Sequence, residues 1–195
     1  MLIEDGQGTG FSAGVNTENR LKTIAITSST EHHVNHEEGL AFNLILQQTP
    51  TYADPSADTG DVCICYIKNT DNTDMILEGI HYRLAGTGQS EIIKIEGKDT
   101  GTPIGGIAAT PSNLNLGSGK TATGTFLTGD NITGLSGGTE LERIYVGSSD
   151  DINSFNFDQD IIVPKNNIIT IYTSQTGTEV DITLIFNYHS ASSIG

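Results

Sequence analysis

The sequence predicts an all-β protein, an antiparallel β-sandwich preceded by an extended arm, and three observations carry that expectation. The first is the run Glu179–Tyr188, where Val180, Ile182, Leu184, Phe186 and Tyr188 alternate with Glu179, Asp181, Thr183 and Asn187. Period two over ten residues defines a strand with one buried and one mostly wet face. The second is composition: 24 Ile and 25 Thr stand against 10 Ala. β-Branched residues suit pleated, half-buried surfaces, whereas Ala suits helices. The third is the supply of turn residues, since the 23 Gly lack the three-residue period of collagen and fall between apolar runs.

At 195 residues the chain suits one domain with a real core, and the expected division is an arm over residues 1–19 and a sandwich over 20–195. Residues 4–19 are polar and rich in Gly, Thr and Asn, with isolated Phe11 and Val15, too little apolar surface to fold alone. Strands are then expected at Leu21–Ser28, Leu40–Gln47, Asp61–Lys68, Met75–Leu84, Glu91–Glu96, Thr121–Leu127, Leu141–Val146, Ile161–Val163, Ile168–Thr173 and Glu179–Tyr188. Three turn signals predict hairpins between consecutive strands: Asn69-Thr70-Asp71-Asn72, Ala85-Gly86-Thr87-Gly88 and Ser174–Thr178. Gly97–Lys120 and Gly129–Gly138 break the rhythm and read as loops, the longer one a candidate contact surface.

The charge balance, 9 Lys plus Arg against 24 Asp plus Glu, gives −15 at pH 7. Such a surface repels phosphate backbones, and no basic stripe with interleaved aromatics offsets it, so nucleic acid is not an expected partner. No run approaches the length of a membrane span, and Met1–Gly8 lacks the basic and apolar regions of a signal peptide. The expectation is synthesis in a host cytoplasm with no membrane partner. Cys63 and Cys65, at i and i+2 of one expected strand, would share a face about 7 Å apart, beyond ordinary disulfide reach. They read as free, buried thiols.

Several residue sets imitate chemistry. Gly117-Ser118-Gly119-Lys120-Thr121 ends like a phosphate-binding loop, but Leu114 stands where that motif needs Gly, and a strand pattern follows where it needs a helix. His32, His33 and His36 with Glu31, Glu37 and Glu38 form the densest ligand set, yet at most one helical turn fits before the strand at Leu40. Asp71–Asp74, Asp150-Asp151 and Asp158–Asp160 lack EF-hand spacing and read as solvated loop charges. No Gly-x-Ser-x-Gly elbow is present, and neither cysteine has a neighbouring positive charge in sequence. The expected protein has no metal, no cofactor and no enzymatic activity.

The order of features resembles a known family. Asp5-Gly6-x-Gly8-Thr9-Gly10, Ala13-x-Val15, Asn19-Arg20-Leu21, Ile26-Thr27-Ser28 and Glu37-Glu38-Gly39-x-Ala41-Phe42 resemble the start of tailed-bacteriophage virion structural proteins. Tyr66–Thr70 and Thr110-Pro111-x-Asn113-Leu114-Asn115-x-Gly117-Ser118-Gly119 are similar to their middle, and Ile161-Ile162-x-Pro164-Lys165, Ile171-Tyr172 and Phe186–His189 to their end. The resemblance implies a jelly-roll, frequently homotrimeric, that decorates or cements a capsid or forms part of a head fibre. Its partners would be the major capsid protein or a neighbouring virion protein, and its location the capsid surface. On this reading the arm docks to the capsid, with Gly6, Gly8, Phe11, Val15 and Arg20 as the candidate contact residues. The alternative is a receptor- or carbohydrate-binding jelly-roll on a tail or fibre, which the absence of Trp disfavours.

Overall fold

Every apolar alternation noted above that falls on described residues becomes a strand in the structure, a computed structural model that describes residues 2–4, 12–14, 38–51, 61–85, 91–146, 152–174 and 179–188. The chain divides into two units, Met1–His33 and Val34–Gly195. In the first, β1 (Leu2–Glu4) pairs antiparallel with β2 (Ser12–Gly14), inside the stretch read as an arm. The expected strand Leu21–Ser28 lies outside the described residues.

The second unit holds two antiparallel sheets. The strands are β3 (Ala41–Gln48), β4 (Val62–Asn69), β5 (Met75–Ala85), β6 (Glu91–Ile104), β7 (Ile107–Ala108), β8 (Ser112–Asn113), β9 (Gly124–Thr128), β10 (Thr133–Val146), β11 (Asn153–Val163), β12 (Ile168–Thr173) and β13 (Glu179–Tyr188). One sheet runs β11-β5-β13-β3-β8 and the other β10-β6-β12-β4-β9-β7. Among the described residues no helix interrupts them. Strand β13 is central, between β3 and β5, and its five alternating apolar side chains are all buried in the main core. There they meet Ile64, Ile67, Ile93, Ile95, Phe126, Ile169 and Ile171 of the six-stranded sheet, giving the filled interior of a sandwich.

The three expected hairpins are not hairpins. β4 lies in one sheet and β5 in the other, and the same holds for β5 with β6 and for β12 with β13. The β4–β5 turn is an arch that carries the chain from one sheet to the other. Turn chemistry specifies that the chain reverses, but not which sheet receives it. The β4–β5 arch is held by Asn69, fully buried, whose amide donates to the Thr73 and Val163 carbonyls at 2.9 and 2.8 Å and whose side-chain oxygen accepts from the Asp71 N–H at 2.9 Å. The Asn69 backbone also exchanges bonds with Asn166 and Asn167, so the β4–β5 and β11–β12 arches are stitched to each other. A paired hairpin would have no need of such a hub.

Half of one expected loop and most of the other are strand. β6 continues to Ile104, and β10 begins at Thr133, absorbing most of Gly129–Gly138. The glycines that suggested loops occupy positive φ instead: Gly101 at 138° and Gly134 at 78°, near a register shift between Thr133 and Leu135. The Gly134 bond directions suit a bulge, which lets the paired strands curl.

The cysteines correct a further expectation. Opposite β12, Ile171 pairs with Cys65 and Tyr172 with Cys63, so Ile64 is an extra residue and the alternation slips by one. Cys65 therefore joins Ile64 and Ile67 in the inter-sheet core, while Cys63 joins Tyr66, Ile168 and Tyr172 in a second cluster on the other face of the sheet. Both thiols are free and buried, and burial, with Cys63 beside it, pushes the Cys65 thiol far above its ordinary pKa. Native protein is expected to react with a thiol reagent only on the timescale of global opening, and to show no mass change on reduction. A loss of two hydrogens restored by reductant would contradict this.

Candidate functional site

The segment between the start of β6 and the end of β10 extends beyond the sandwich at one end and returns to it through β9. β12 ends its pairing with β6 at Lys98, and from Asp99 onward β6 has only β10 beside it among the described residues, down to the pair Ile104 and Thr133. The result is a two-stranded tongue. From its tip residues 105–132 return along the sandwich: β7 adds to β9, and β8 adds to β3, covering one edge of each sheet with a two-residue strand. Very short edge strands leave little backbone for unwanted pairing.

Side chains anchor the tongue to the outer face of the six-stranded sheet. Ile132 and Leu135 are buried against Cys63, Tyr66, Ile168 and Tyr172, with Leu127 alongside. Polar clamps fix the connecting loops. The Asn131 side-chain oxygen accepts from the Gly106 N–H at 2.9 Å, and Asp130 accepts from both the N–H and the hydroxyl of Thr51, which holds its carboxyl below the usual range. Asn113 donates to the carbonyls of Gly39 and Lys120 at 2.8 and 3.0 Å, tying the β8–β9 loop to the start of β3. Gly105, at φ 81°, admits no side chain, because a Cβ there would stand 2.2 Å from the Asn131 carbonyl.

Although clamped, this segment presents bare apolar side chains. Ile104 is 66% exposed, Ile107 72% and Leu116 98%. Holding Ile104, Ile107 and Leu116 in water on an ordered segment forgoes about 1.5–3 kcal/mol of burial for each, which a partner surface would recover.

Beside the tongue lies an ion-pair network more buried than that of Arg83 with Glu179 and Asp181. Lys94 sits with its Nζ 2.6 Å from Asp61 and 2.9 Å from Glu96, over the Tyr172 ring at 5.3 Å from the centroid. All three ionic side chains are nearly buried. Lys94 and Glu96 are i and i+2 on β6, a spacing visible in sequence, but nothing in sequence brings Asp61 to them. A neighbouring ion pair, Arg143 with Glu140, is exposed, and the hydrogen bonds from Arg143 hold the Glu140 carboxyl below its ordinary range.

The residues singled out from sequence fall as follows. Gly6, Gly8, Phe11, Val15 and Arg20, and the cluster Glu31, His32, His33, His36 and Glu37, lie outside the described residues. Gly117–Thr121 forms an exposed loop that runs into β9, so no helix N-terminus is aimed at it. Asp71 is a turn residue: burial alone would raise its pKa, but the bonds it accepts from Thr73 and Thr123 lower it. Among the described residues no three His, Cys, Asp or Glu converge as a metal site. On the outer face of the five-stranded sheet Ile45, His81, Arg83, Ile152 and Thr183 line a shallow depression of about 290 Å³. The Arg83 guanidinium there is held by Glu179 and Asp181 at 2.6 Å each. No protein-family model matches the chain, and no curated protein matches it.

Proposed function

We propose that this chain is a non-enzymatic structural protein of a tailed-phage virion, a capsid decoration or cement protein built on a jelly-roll, and that the β6–β10 segment contacts the neighbouring virion protein. The jelly-roll reading is supported by strand order. Counting β3, β4, β5, β6, β10, β11, β12 and β13 as one to eight, the sheets contain one-eight-three-six and two-seven-four-five. Only the fourth and fifth, β6 and β10, are sequence neighbours in the same sheet, the pattern of two interleaved Greek keys.

The observation that carries the docking reading is the combination of rigid clamps with exposed Ile104, Ile107 and Leu116. Preorganised apolar anchors lose little entropy on binding. The sequence resemblance supplies the class of partner, a capsid or neighbouring virion protein. The N-terminal stretch with Phe11 and Val15 is the second attachment element on this reading.

Co-sedimentation with capsid shells of the phage proposed to encode the chain tests it. Ile104→Lys with Ile107→Lys is expected to lower capsid occupancy tenfold or more, with a melting temperature within a few degrees of the parent, because both side chains already face water. Deletion of residues 2–18 is expected to weaken binding independently. Full occupancy by both variants would overturn the docking reading.

A further inference from the structure

The six-stranded sheet brings together an amine and two carboxylates that the docking surface does not use. Lys94 on β6 and Asp61, one residue before β4, are both buried. β12 lies between their two strands, and the Lys94 amine sits over its Tyr172 ring. The Lys94 Nζ stands 2.6 Å from Asp61 Oδ2 and 2.9 Å from Glu96 Oε1. A buried ion pair is by itself weak evidence for stability, since apolar residues of similar volume serve at least as well. An amine in contact with an acyl group, with a second carboxylate beside both, is also the complete set of parts for an amide bond.

We propose that Lys94 and Asp61 condense to an intramolecular isopeptide bond, with Glu96 moving the proton. The ion-paired form is the reactant. Burial alone would favour the neutral amine, but the bonds to Asp61 and Glu96 outweigh it and keep Lys94 charged. Reaction therefore runs through the minor tautomer in which Lys94 has passed one proton to Asp61. The neutral Nζ attacks the Asp61 carboxyl carbon and the C–N bond forms. Glu96 takes a proton from the nitrogen and returns it to the departing hydroxyl, so the C–O bond breaks and one water leaves. Glu96 ends as it began, the net charge of the site is unchanged, and no oxidant or cofactor is consumed. The three side chains keep 10–12% of their surface exposed, which gives the water an exit.

The fold supplies the positioning. Lys94 is paired on both sides, with Arg143 of β10 and Tyr172 of β12. Arg143 is itself held by Glu140, so it does not compete for Asp61 and Glu96. Fixing amine and acid in contact gives effective molarities on the order of 10⁵ M or more. Asp61 is the nearer carboxylate, and it is the one whose bond ties separate strands. A link to Glu96, two residues along the same strand, would join β6 only to itself. A link to Asp61 joins β6 to β4 across β12 and closes a covalent loop that contains β5, which restricts the unfolded chain. Until the bond forms, the three groups behave as an ion-pair network. The inference is independent of the virion reading.

The full chain, freshly purified and then incubated at neutral pH for increasing times, is expected to lose the mass of one water. Digestion is expected to yield a branched peptide that joins Lys94 to Asp61. Lys94→Arg keeps the charge but offers no amine, and is expected to keep the full mass; a succinimide at Asp61 would lose the same water without Lys94. Glu96→Gln is expected to slow the loss roughly a hundredfold while retaining a cooperative melt. A parent mass that never falls while the chain stays folded would overturn the inference. So would a water loss that survives Lys94→Arg, a branch to Glu96 in place of Asp61, or a parent-like rate in Glu96→Gln.

Discussion

Replacing Lys94 with Met is expected to destabilise the sandwich by roughly 3 kcal/mol, the low end for breaking a buried ion pair. Asp61 and Glu96 keep 12% of their side-chain surface in water, which softens the loss but leaves two like charges facing each other without a cation. For a domain of this size that corresponds to a fall in melting temperature of about 6–12 °C. Adding Asp61→Asn and Glu96→Gln to the Met variant is expected to recover most of it, because neutral amides remove the repulsion. The parent has a matching pH signature. Burial alone would lower the Lys94 pKa, but its hydrogen bonds and charge contacts with Asp61 and Glu96 outweigh burial and hold it above 10.5. The stabilisation is therefore fully present below pH 10.5 and is lost as pH rises through the higher folded-state value. Denaturant titrations at alkaline pH check this, and a Met variant with the parent's alkaline profile would contradict it.

Phe186→Ala is expected to cost more, about 3–5 kcal/mol, and to leave little folded protein at 37 °C. Phe186 is fully buried on the central strand, stacked on Phe42 from β3 and on Phe126 from β9 in the opposite sheet, both at 5.7 Å, with Tyr188 edge-on at 6.0 Å. Its ring thus joins both sheets, and the cavity left by Ala is bounded by rigid aromatics that cannot collapse into it. Phe186→Leu, which keeps most of the volume, is expected to lose less than half as much. Urea midpoints of the three proteins decide the matter.

The legible part of the fold was what periodicity encodes. β13 begins and ends at the residues expected from its alternation and β12 at those expected from its β-branched run, and the central, fully inward position of the apolar side chains of β13 follows from its length and pattern. Pairing was less legible. Asn69-Thr70-Asp71-Asn72 has the composition of a hairpin turn, and only the tertiary bonds of Asn69 to Val163 and Asn167 reveal an arch. A bulge at Ile64 in β4 erased the expectation that Cys63 and Cys65 share a face, because one extra residue inverts every following side chain. The β6–β10 tongue was hidden by Gly, which reads as loop in sequence but here serves positive-φ positions in a curled ribbon. For the site, Gly97–Lys120 stood out in sequence as a candidate contact surface by its length and composition. The exposure of Ile104, Ile107 and Leu116, and the bond from Gly106 to Asn131, depend on contacts across 25 residues or more that no local pattern records.

The most direct test of the proposed role is imaging of purified virions of the phage proposed to encode this chain, labelled with an antibody raised against it. The account predicts label distributed over the capsid shell at regular lattice positions, and its loss from virions assembled with the Ile104→Lys, Ile107→Lys protein. Label confined to the tail or fibres, or virions carrying none, would contradict it.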